Sequence, residues 1–558
     1  MEHKIRFVTA ASLFDGHDVS INIMRRLLQS KGVEVIHLGH NRSAKEVVDA
    51  ALNEDAHAVA LSSYQGGHME YFKYIRELLD EAGAKNIRIF GGGGGVITPP
   101  EIKELEAFGI TKIYHPQDGM KLGLEGIIDD MIKKATHSTL DETDFPKLKS
   151  KDLNDLEISK VITYIEDKGE LPFEVQSKNV PVLGITGTGG AGKSSLIDEL
   201  LLRFYRYYPN QRVALISVDP TKKKTQGALL GDRIRLGSAI YDNIYVRSLA
   251  TRNSKTELSP QINSVVNFMR AQNFDLIIVE TSGIGQASDE ITTVADKCVY
   301  VMTPEYGAQT QLEKIEMLEV ADFIVINKFE KPRSEDSMRD VRKQYRRNHK
   351  LFANHPGSPE DYELPIYGTM ASQFNDKGVN ALFKDLALEF KFEATEELTN
   401  LPAEKEPKDK PAIIPAKQVQ YLSDIADVVR SYNKETKELC EIAKYLEACE
   451  NALLLVKDPA AKKELESLKA EYQQKLGDSS LADLKHFDQL SKEYASGEYS
   501  YTVRGKEFKV PTQYTSLSHQ MISRIGVPKY QSKADKLRFI RSENLPGFFP
   551  YTAGIFPF

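Results

Sequence analysis

The stretch Gly187-Thr-Gly-Gly-Ala-Gly192-Lys193-Ser194 constrains the fold of this chain more than any other. It has the spacing G-x-x-x-x-G-K-[ST], follows the apolar run PVLGIT and opens the helical pattern SLIDELLLRFY. A strand, a glycine-rich loop and a helix in that order aim successive backbone N–H groups at one spot, where the helix dipole favours negative charge. Lys193 then reaches the outer phosphates of a nucleotide, and the Ser194 hydroxyl ligates Mg²⁺. Such a loop sits at the carboxyl edge of a parallel sheet, which commits this part of the chain to an α/β fold.

Two carboxylates end apolar runs downstream. Asp219 closes VALISVD, and Glu280 closes DLIIVE within Glu280-Thr-Ser-Gly283-Ile-Gly-Gln286. Acids at strand ends facing a phosphate loop are natural Mg²⁺ ligands, directly or through water. Gly283 resembles a glycine whose N–H senses a γ-phosphate, with Glu280 where Asp is usual. The run FIVIN leads into Asn327-Lys328-Phe329-Glu330, which resembles the guanine-reading N-K-x-D loop with Glu in place of Asp. The carboxylate can still accept from guanine N–H groups, one methylene further out. GTP is favoured over ATP. The run Lys222–Lys224 reads as a solvated charge cluster.

The first ~135 residues alternate strand and helix patterns, a rhythm that makes a parallel sheet with both faces covered. Strands are expected at residues 5–9, 33–38, 57–61, 87–90 and 110–114, with helices at 18–30, 43–53, 68–82, 99–107 and 118–134. Ser43 and Glu46 have capping-box spacing. At the carboxyl ends of the first, third and fourth strands stand Asp15-Gly-His17-Asp18, Ser62-Ser-Tyr64-Gln-Gly-Gly67 and five glycines from Gly91 to Gly95. Asp15 is placed to accept from one His17 ring nitrogen and leave the other for a metal. The glycines leave no side chains in the way of a bulky group.

These three loops resemble the vitamin B12-binding domain of enzymes that hold cobalamin base-off with a histidine on cobalt, with its D-x-H-x-x-G, S-x-L and G-G elements. Ser20 and Tyr64 depart from it, standing where Gly and Leu are usual. The resemblance implies that His17 is the lower axial cobalt ligand, that Asp15 is its partner, and that Ser62, Gly91 and Gly92 line a channel for the nucleotide tail.

A B12 module joined to a phosphate-loop module is similar to one family, the fused isobutyryl-CoA mutases. There a cobalamin domain, a G-protein chaperone domain, a helical linker and a CoA-mutase barrel share one chain. The resemblance extends over DGHDVSINIMRR, SSYQGGH, ETSGIGQ, DVRKQYRRN (340–348) and GTMASQFND (368–376). It implies a flavodoxin-like B12-binding domain at 1–140, a connecting helix at 141–180, a P-loop GTPase domain at 181–400, a helical linker at 401–500, and the start of a TIM-barrel mutase domain at 501–558. It places Mg²⁺ at Ser194, Val218 (through its backbone), Asp219, Asp232, Glu280 and Thr281. GTP falls to Gly190, Ala191, Gly192, Lys193, Ser194, Ser195, Arg235, Asn327, Lys328, Phe329 and Glu330. Lys193, Glu280 and Gln286 are the implied catalytic groups of hydrolysis, and Phe556 the acyl-CoA contact. The implied reaction is an adenosylcobalamin-dependent rearrangement of isobutyryl-CoA to n-butyryl-CoA, with GTP hydrolysis gating cofactor loading, and a homodimer is expected. Because the sequence ends at LPGFFPYTAGIFPF, where the barrel opens, this chain alone is expected to hydrolyse GTP without isomerising acyl-CoA. The alternative is a stand-alone cobalamin-binding GTPase chaperone or sensor.

The remaining features exclude other classes. With 73 Lys+Arg against 80 Asp+Glu there is no basic footprint for nucleic acid or an anionic membrane. Three scattered cysteines make no disulfide framework and fit a reducing cytoplasm. No run approaches the ~20 apolar residues that span a bilayer.

Overall fold

The computed structural model describes residues 4–141, 143–149, 153–176, 178–230, 233–252, 258–281, 283, 289–306, 312–351, 358–407, 421–503, 505–524 and 528–542. The chain divides into two compact units, Met1–Ile413 and Ile414–Phe558.

The first unit opens with β1 (Arg6–Ser12), α1 (Val19–Ser30), β2 (Glu34–Arg42), α2 (Ala44–Asn53), β3 (Ala58–Ser62), α3 (His68–Glu81), β4 (Arg88–Gly92), α4 (Pro99–Phe108), β5 (Lys112–Tyr114) and α5 (Pro116–Ala135). These are the ten elements expected from the apolar rhythm, shifted by a few residues at their ends. All seven residues of β1 are buried, as a parallel strand covered on both faces requires. Ser43 and Glu46 close the capping box at α2: the Ser43 N–H donates to Glu46 Oε2 at 2.8 Å, and the Glu46 N–H donates to Ser43 Oγ at 3.3 Å.

The connecting helix expected at 141–180 is confined to a shorter span. α6 (Asp155–Lys168) starts on an Asn154 cap and buries Ile158, Val161, Ile162 and Ile165. A four-residue apolar stripe inside a charged segment suffices to pin one helical face to a core.

The second lobe follows with β6 (Val182–Gly187), α7 (Lys193–Tyr207), β7 (Val213–Asp219), β8 (Ala228–Leu230), β9 (Ile244–Ala250), α8 (Ile262–Arg270), β10 (Leu276–Glu280), β11 (Lys297–Met302), β12 (Phe323–Asn327) and β13 (Ile366–Thr369). Seven strands lie in the order β13-β12-β11-β6-β10-β7-β9, so the glycine loop leaves the central strand. β8 does not join them. It runs parallel to β2, Glu34 opposite Ala228 and Ile36 opposite Leu230, and completes the first sheet as β5-β4-β3-β1-β2-β8. Three residues carry no readable periodicity, so nothing in the sequence marks this crossover.

Where the two α/β lobes meet, buried charges stand beside apolar packing that places Ala228, Leu230 and Ala250 in one core with Ile36 and Leu38. Arg6 of β1 pairs with Glu34 at 2.9 Å and with Glu166 of α6 at 2.8 Å; Glu166 also takes Arg247 of β9 at 2.9 Å. Glu54, after α2, accepts from Arg233 at 3.1 Å and from the Ser248 hydroxyl at 2.9 Å. Burial pushes the Glu166 carboxyl up, but Arg6, Arg252 and Arg247 outweigh it and hold it down at about 2.

The second unit is mostly helical. Helices Tyr421–Leu455 and Pro459–Ala495 share with Lys533–Arg541 a core that includes Cys440, Leu446, Leu476, Leu484 and Leu537. Pro459 opens its helix behind an Asp458 cap, a position where a missing N–H costs nothing. Between residues 498 and 523 the chain makes two antiparallel strand pairs. Among the described residues no helix is long and apolar enough to cross a membrane.

Candidate functional site

At the carboxyl end of the first sheet, β1 runs into a tight loop that presents His17. Asp15 is 2% exposed and organises it: Oδ1 takes the His17 backbone N–H at 2.9 Å and lies 2.8 Å from His17 Nδ1, while Oδ2 takes the Tyr64 N–H at 2.6 Å. Burial alone would raise the Asp15 carboxyl, but the two backbone N–H bonds and the imidazole bring it below its ordinary value. An ionised Asp15 holds the proton on Nδ1 and turns the Nε2 lone pair outward. The His17 side chain is 76% exposed, so that lone pair is available to a metal.

Beside this loop lies an apolar cavity of about 320 Å³, lined by Ser62, Tyr64, Phe90, Gly91, Gly92 and Tyr114 among others. Two features fit it to a large group with a few polar atoms. Ser62 Oγ is buried, lines the cavity and has no hydrogen-bond partner. Gly92 adds no side chain to the cavity wall, while Gly91 and Gly93 answer to packing: a Cβ on Gly91 would lie 2.4 Å from Phe72 Cζ, and one on Gly93 would lie 1.9 Å from Ser63 O. The two departures from the B12 motif form a single contact, with Ser20 Oγ 2.7 Å from the Tyr64 hydroxyl. The Tyr64 ring sits 5.4 Å from that of His17.

The second site lies at the carboxyl end of the seven-stranded sheet. A cavity of about 140 Å³ is lined by Gly190, Gly192, Lys193, Ser194, Val218, Asp219, Arg235, Glu280 and Thr281, bringing together nine residues singled out in the sequence. Ser194 Oγ donates to Glu280 Oε1 at 2.8 Å, and Ser217 Oγ donates to Oε2 at 3.1 Å. Hydroxyl and carboxylate oxygens so arranged are hard donors suited to Mg²⁺. Ser217 is missing from the expected set, although its alternation with Asp219 along β7 puts both on one face. Lys193 Nζ donates to Gly187 O at 2.9 Å, and Gly283 crosses so close that a Cβ there would lie 2.3 Å from Nζ. Thr281 turns its hydroxyl to Thr186 at 2.9 Å. Among the described residues no group of three or more His, Cys, Asp or Glu side chains is placed to hold a metal, so any Mg²⁺ here needs hydroxyl, water or phosphate oxygens as well.

The Asn327–Glu330 loop docks onto the phosphate loop. Asn327 Nδ2 donates to Ala191 O at 2.8 Å, and Lys328, held at φ +59°, donates to Gly190 O at 2.7 Å. Phe329 and Glu330 line a neighbouring open cavity of about 390 Å³. Ser195 follows on α7. Asp232, Gln286 and Phe556 lie outside the described residues.

Residues 5–117 match the B12 binding domain family, and residues 172–419 match the methylmalonyl Co-A mutase-associated GTPase MeaB. The fused isobutyryl-CoA mutase of Geobacillus kaustophilus is 48% identical across 100% of this chain and 53% of its own length. That of Cupriavidus metallidurans is 44% identical across 100% of this chain and 52% of its own. The chain is similar from end to end to fused isobutyryl-CoA mutases. It spans about half the length of these curated relatives. The nucleotide cavity lies wholly within the matched GTPase segment, while the wall of the first cavity runs past the matched B12 segment to Gly119, Leu124, Ile127 and Met131.

Proposed function

We propose that this chain handles the cofactor for an adenosylcobalamin-dependent acyl-CoA mutase that interconverts isobutyryl-CoA and n-butyryl-CoA, and that it binds and hydrolyses GTP to gate cofactor loading. The observation that carries the cobalamin half is the exposed imidazole of His17, fixed by buried Asp15 and 5.4 Å from the ring of Tyr64, which lines an apolar cavity with an unpartnered Ser62 hydroxyl. When bound, adenosylcobalamin supplies the carbon radical that opens the rearrangement. The chain's part is positional: Asp15 keeps the proton on Nδ1, His17 offers Nε2 to cobalt, Ser62 donates to the nucleotide tail, and Gly91 and Gly92 leave it room.

In the nucleotide site Lys193 and the loop N–H groups of Gly190, Ala191, Gly192, Ser194 and Ser195 hold phosphates. Ser194, Glu280, Asp219, Asp232, Thr281 and the Val218 backbone would hold Mg²⁺, and Gln286 would orient the attacking water. Arg235, Asn327, Lys328, Phe329 and Glu330 complete the GTP set, with Glu330 reading guanine. Phe556 contacts the acyl-CoA. On this reading the domains divide at 1–140, 141–180, 181–400, 401–500 and 501–558, and the protein is a cytoplasmic homodimer.

The test is a pair of titrations of the chain. Adenosylcobalamin should bind with a base-off absorbance spectrum, and GTP with Mg²⁺ should bind more tightly than ATP and be hydrolysed. Failure to bind cobalamin, or equal affinity for the two nucleotides, contradicts the reading.

A further inference from the structure

The segment that begins at the nucleotide cavity does not stay in its own lobe. Asp219 and Arg235 both line that cavity. Between them β8 hydrogen-bonds to β2 of the other sheet, and Arg233 is buried against Glu54 at 3.1 Å. Ile234, next to Arg235, leans over Gly39 so closely that a Cβ on Gly39 would lie 2.7 Å from Ile234 Cδ1. Its carbonyl accepts from Arg42 Nη2 at 3.4 Å.

Gly39 belongs to the end of β2, where the backbone turns through left-handed φ at Gly39 (+84°) and at Asn41 (+57°). Asn41 then reaches the loop after β1 twice. Its Oδ1 accepts the Phe14 N–H at 2.8 Å, and its N–H donates to Asp15 O at 3.3 Å. Phe14 itself is held at φ +62°, a conformation a bulky side chain rarely adopts unless its surroundings enforce it. The next residue is Asp15, which fixes His17. A continuous set of contacts therefore runs from Arg235 through Ile234, Gly39 and Asn41 to the imidazole.

We infer that Asn41 and Ile234 are positioning residues that tie the His17 loop to the occupancy of the nucleotide cavity. The inference rests on the reading of the two sites given above. Nucleotide contacts that shift Arg235 carry Ile234 with it, whose side chain covers Gly39 and whose carbonyl takes Arg42 at the end of β2. The displacement passes to Asn41 and so to the strained Phe14–Asp15 turn. By linkage, cobalamin on His17 must change nucleotide affinity by the same factor.

The experiment titrates the full chain with adenosylcobalamin alone, with a non-hydrolysable GTP analogue and Mg²⁺, and with GDP. The readout is the ratio of cobalamin dissociation constants with and without nucleotide. In the unmodified protein that ratio should differ from unity by about fivefold or more. Ile234→Ala is an exposed truncation that leaves Arg235 in place; it and Asn41→Ala should bring the ratio to within about twofold of unity, since each cuts the coupling. Asn41→Asp keeps an acceptor and tolerates left-handed φ, so it should retain the ratio. Circular dichroism checks that each variant is folded. An unmodified ratio matched by both alanine variants overturns this inference alone. A ratio of unity in the unmodified protein overturns the gating reading, and this inference with it.

Discussion

Single residues carry the chemistry, and they differ in how plainly the sequence announced them. His17 and Asp15 were readable because their spacing is itself the hydrogen-bond geometry: two residues apart, one carboxylate oxygen meets both the imidazole and its backbone N–H. The Ser20–Tyr64 contact was not readable, because the two residues are 44 positions apart and each alone looks like a departure from a motif. Ser62 yields a sharp expectation. Its hydroxyl is buried without a partner, a state that costs about 1–3 kcal/mol. Ser62→Ala should therefore leave thermal stability unchanged or raise it, while cobalamin affinity falls by up to about tenfold for one lost hydrogen bond. Lower stability together with unchanged affinity would remove Ser62 from the site. At Glu330, Ala should narrow the preference for GTP over ATP, because phosphate contacts remain and the guanine-accepting carboxylate is gone. Competition binding with the two nucleotides checks this, and an unchanged preference contradicts it.

Among the elements, those with a sustained rhythm were legible. The five strands and five helices of the first lobe show period, three of the helices add capping boxes, and α7 follows its glycine loop as the motif demands. The crossover strand β8 was hidden because three residues cannot display a pattern, and its place depends on pairing with a strand nearly two hundred residues earlier. The three-residue strands Gln513–Thr515 and Met521–Ser523 were hidden for the same reason, whereas the six-residue pair Glu498–Val503 and Lys506–Pro511 carries an alternation, Tyr499 with Tyr501 and Phe508 with Val510, that the expected elements omit. The glycine run after β4 was legible as clearance, yet its tightest constraint is packing against the neighbouring loop. Gly93→Ala would press a Cβ to 1.9 Å from the Ser63 carbonyl oxygen. Overpacking of this kind costs about 1–3 kcal/mol, so the variant should lose stability by that amount in urea melts. Gly95→Ala, where a Cβ meets nothing within 4 Å, is the control and should be nearly neutral.

At the scale of the whole molecule, the buried charges between the two α/β lobes set both their register and their sensitivity to acid. Removing one partner of such a cluster leaves an uncompensated charge, so Glu166→Gln should cost about 3–5 kcal/mol. The sign of the pH dependence follows from the depressed Glu166 carboxyl. Its contribution is fully present above the ordinary glutamate value of 4.5 and is lost as pH falls through about 2. The unmodified chain should lose stability across that window, and Glu166→Gln should lose less of it there; parallel pH slopes would contradict the assignment. None of this cluster could be read from composition, since its members come from six separate segments, around Arg6, Glu34, Glu54, Glu166, Arg233 and Arg247. The proposed function of the whole molecule turns on cobalamin being held by His17. The most direct measurement is the electron paramagnetic resonance spectrum of the cob(II)alamin complex. Nitrogen hyperfine splitting from a protein imidazole should be present in the unmodified chain and absent in His17→Ala; an identical spectrum in both would contradict the account.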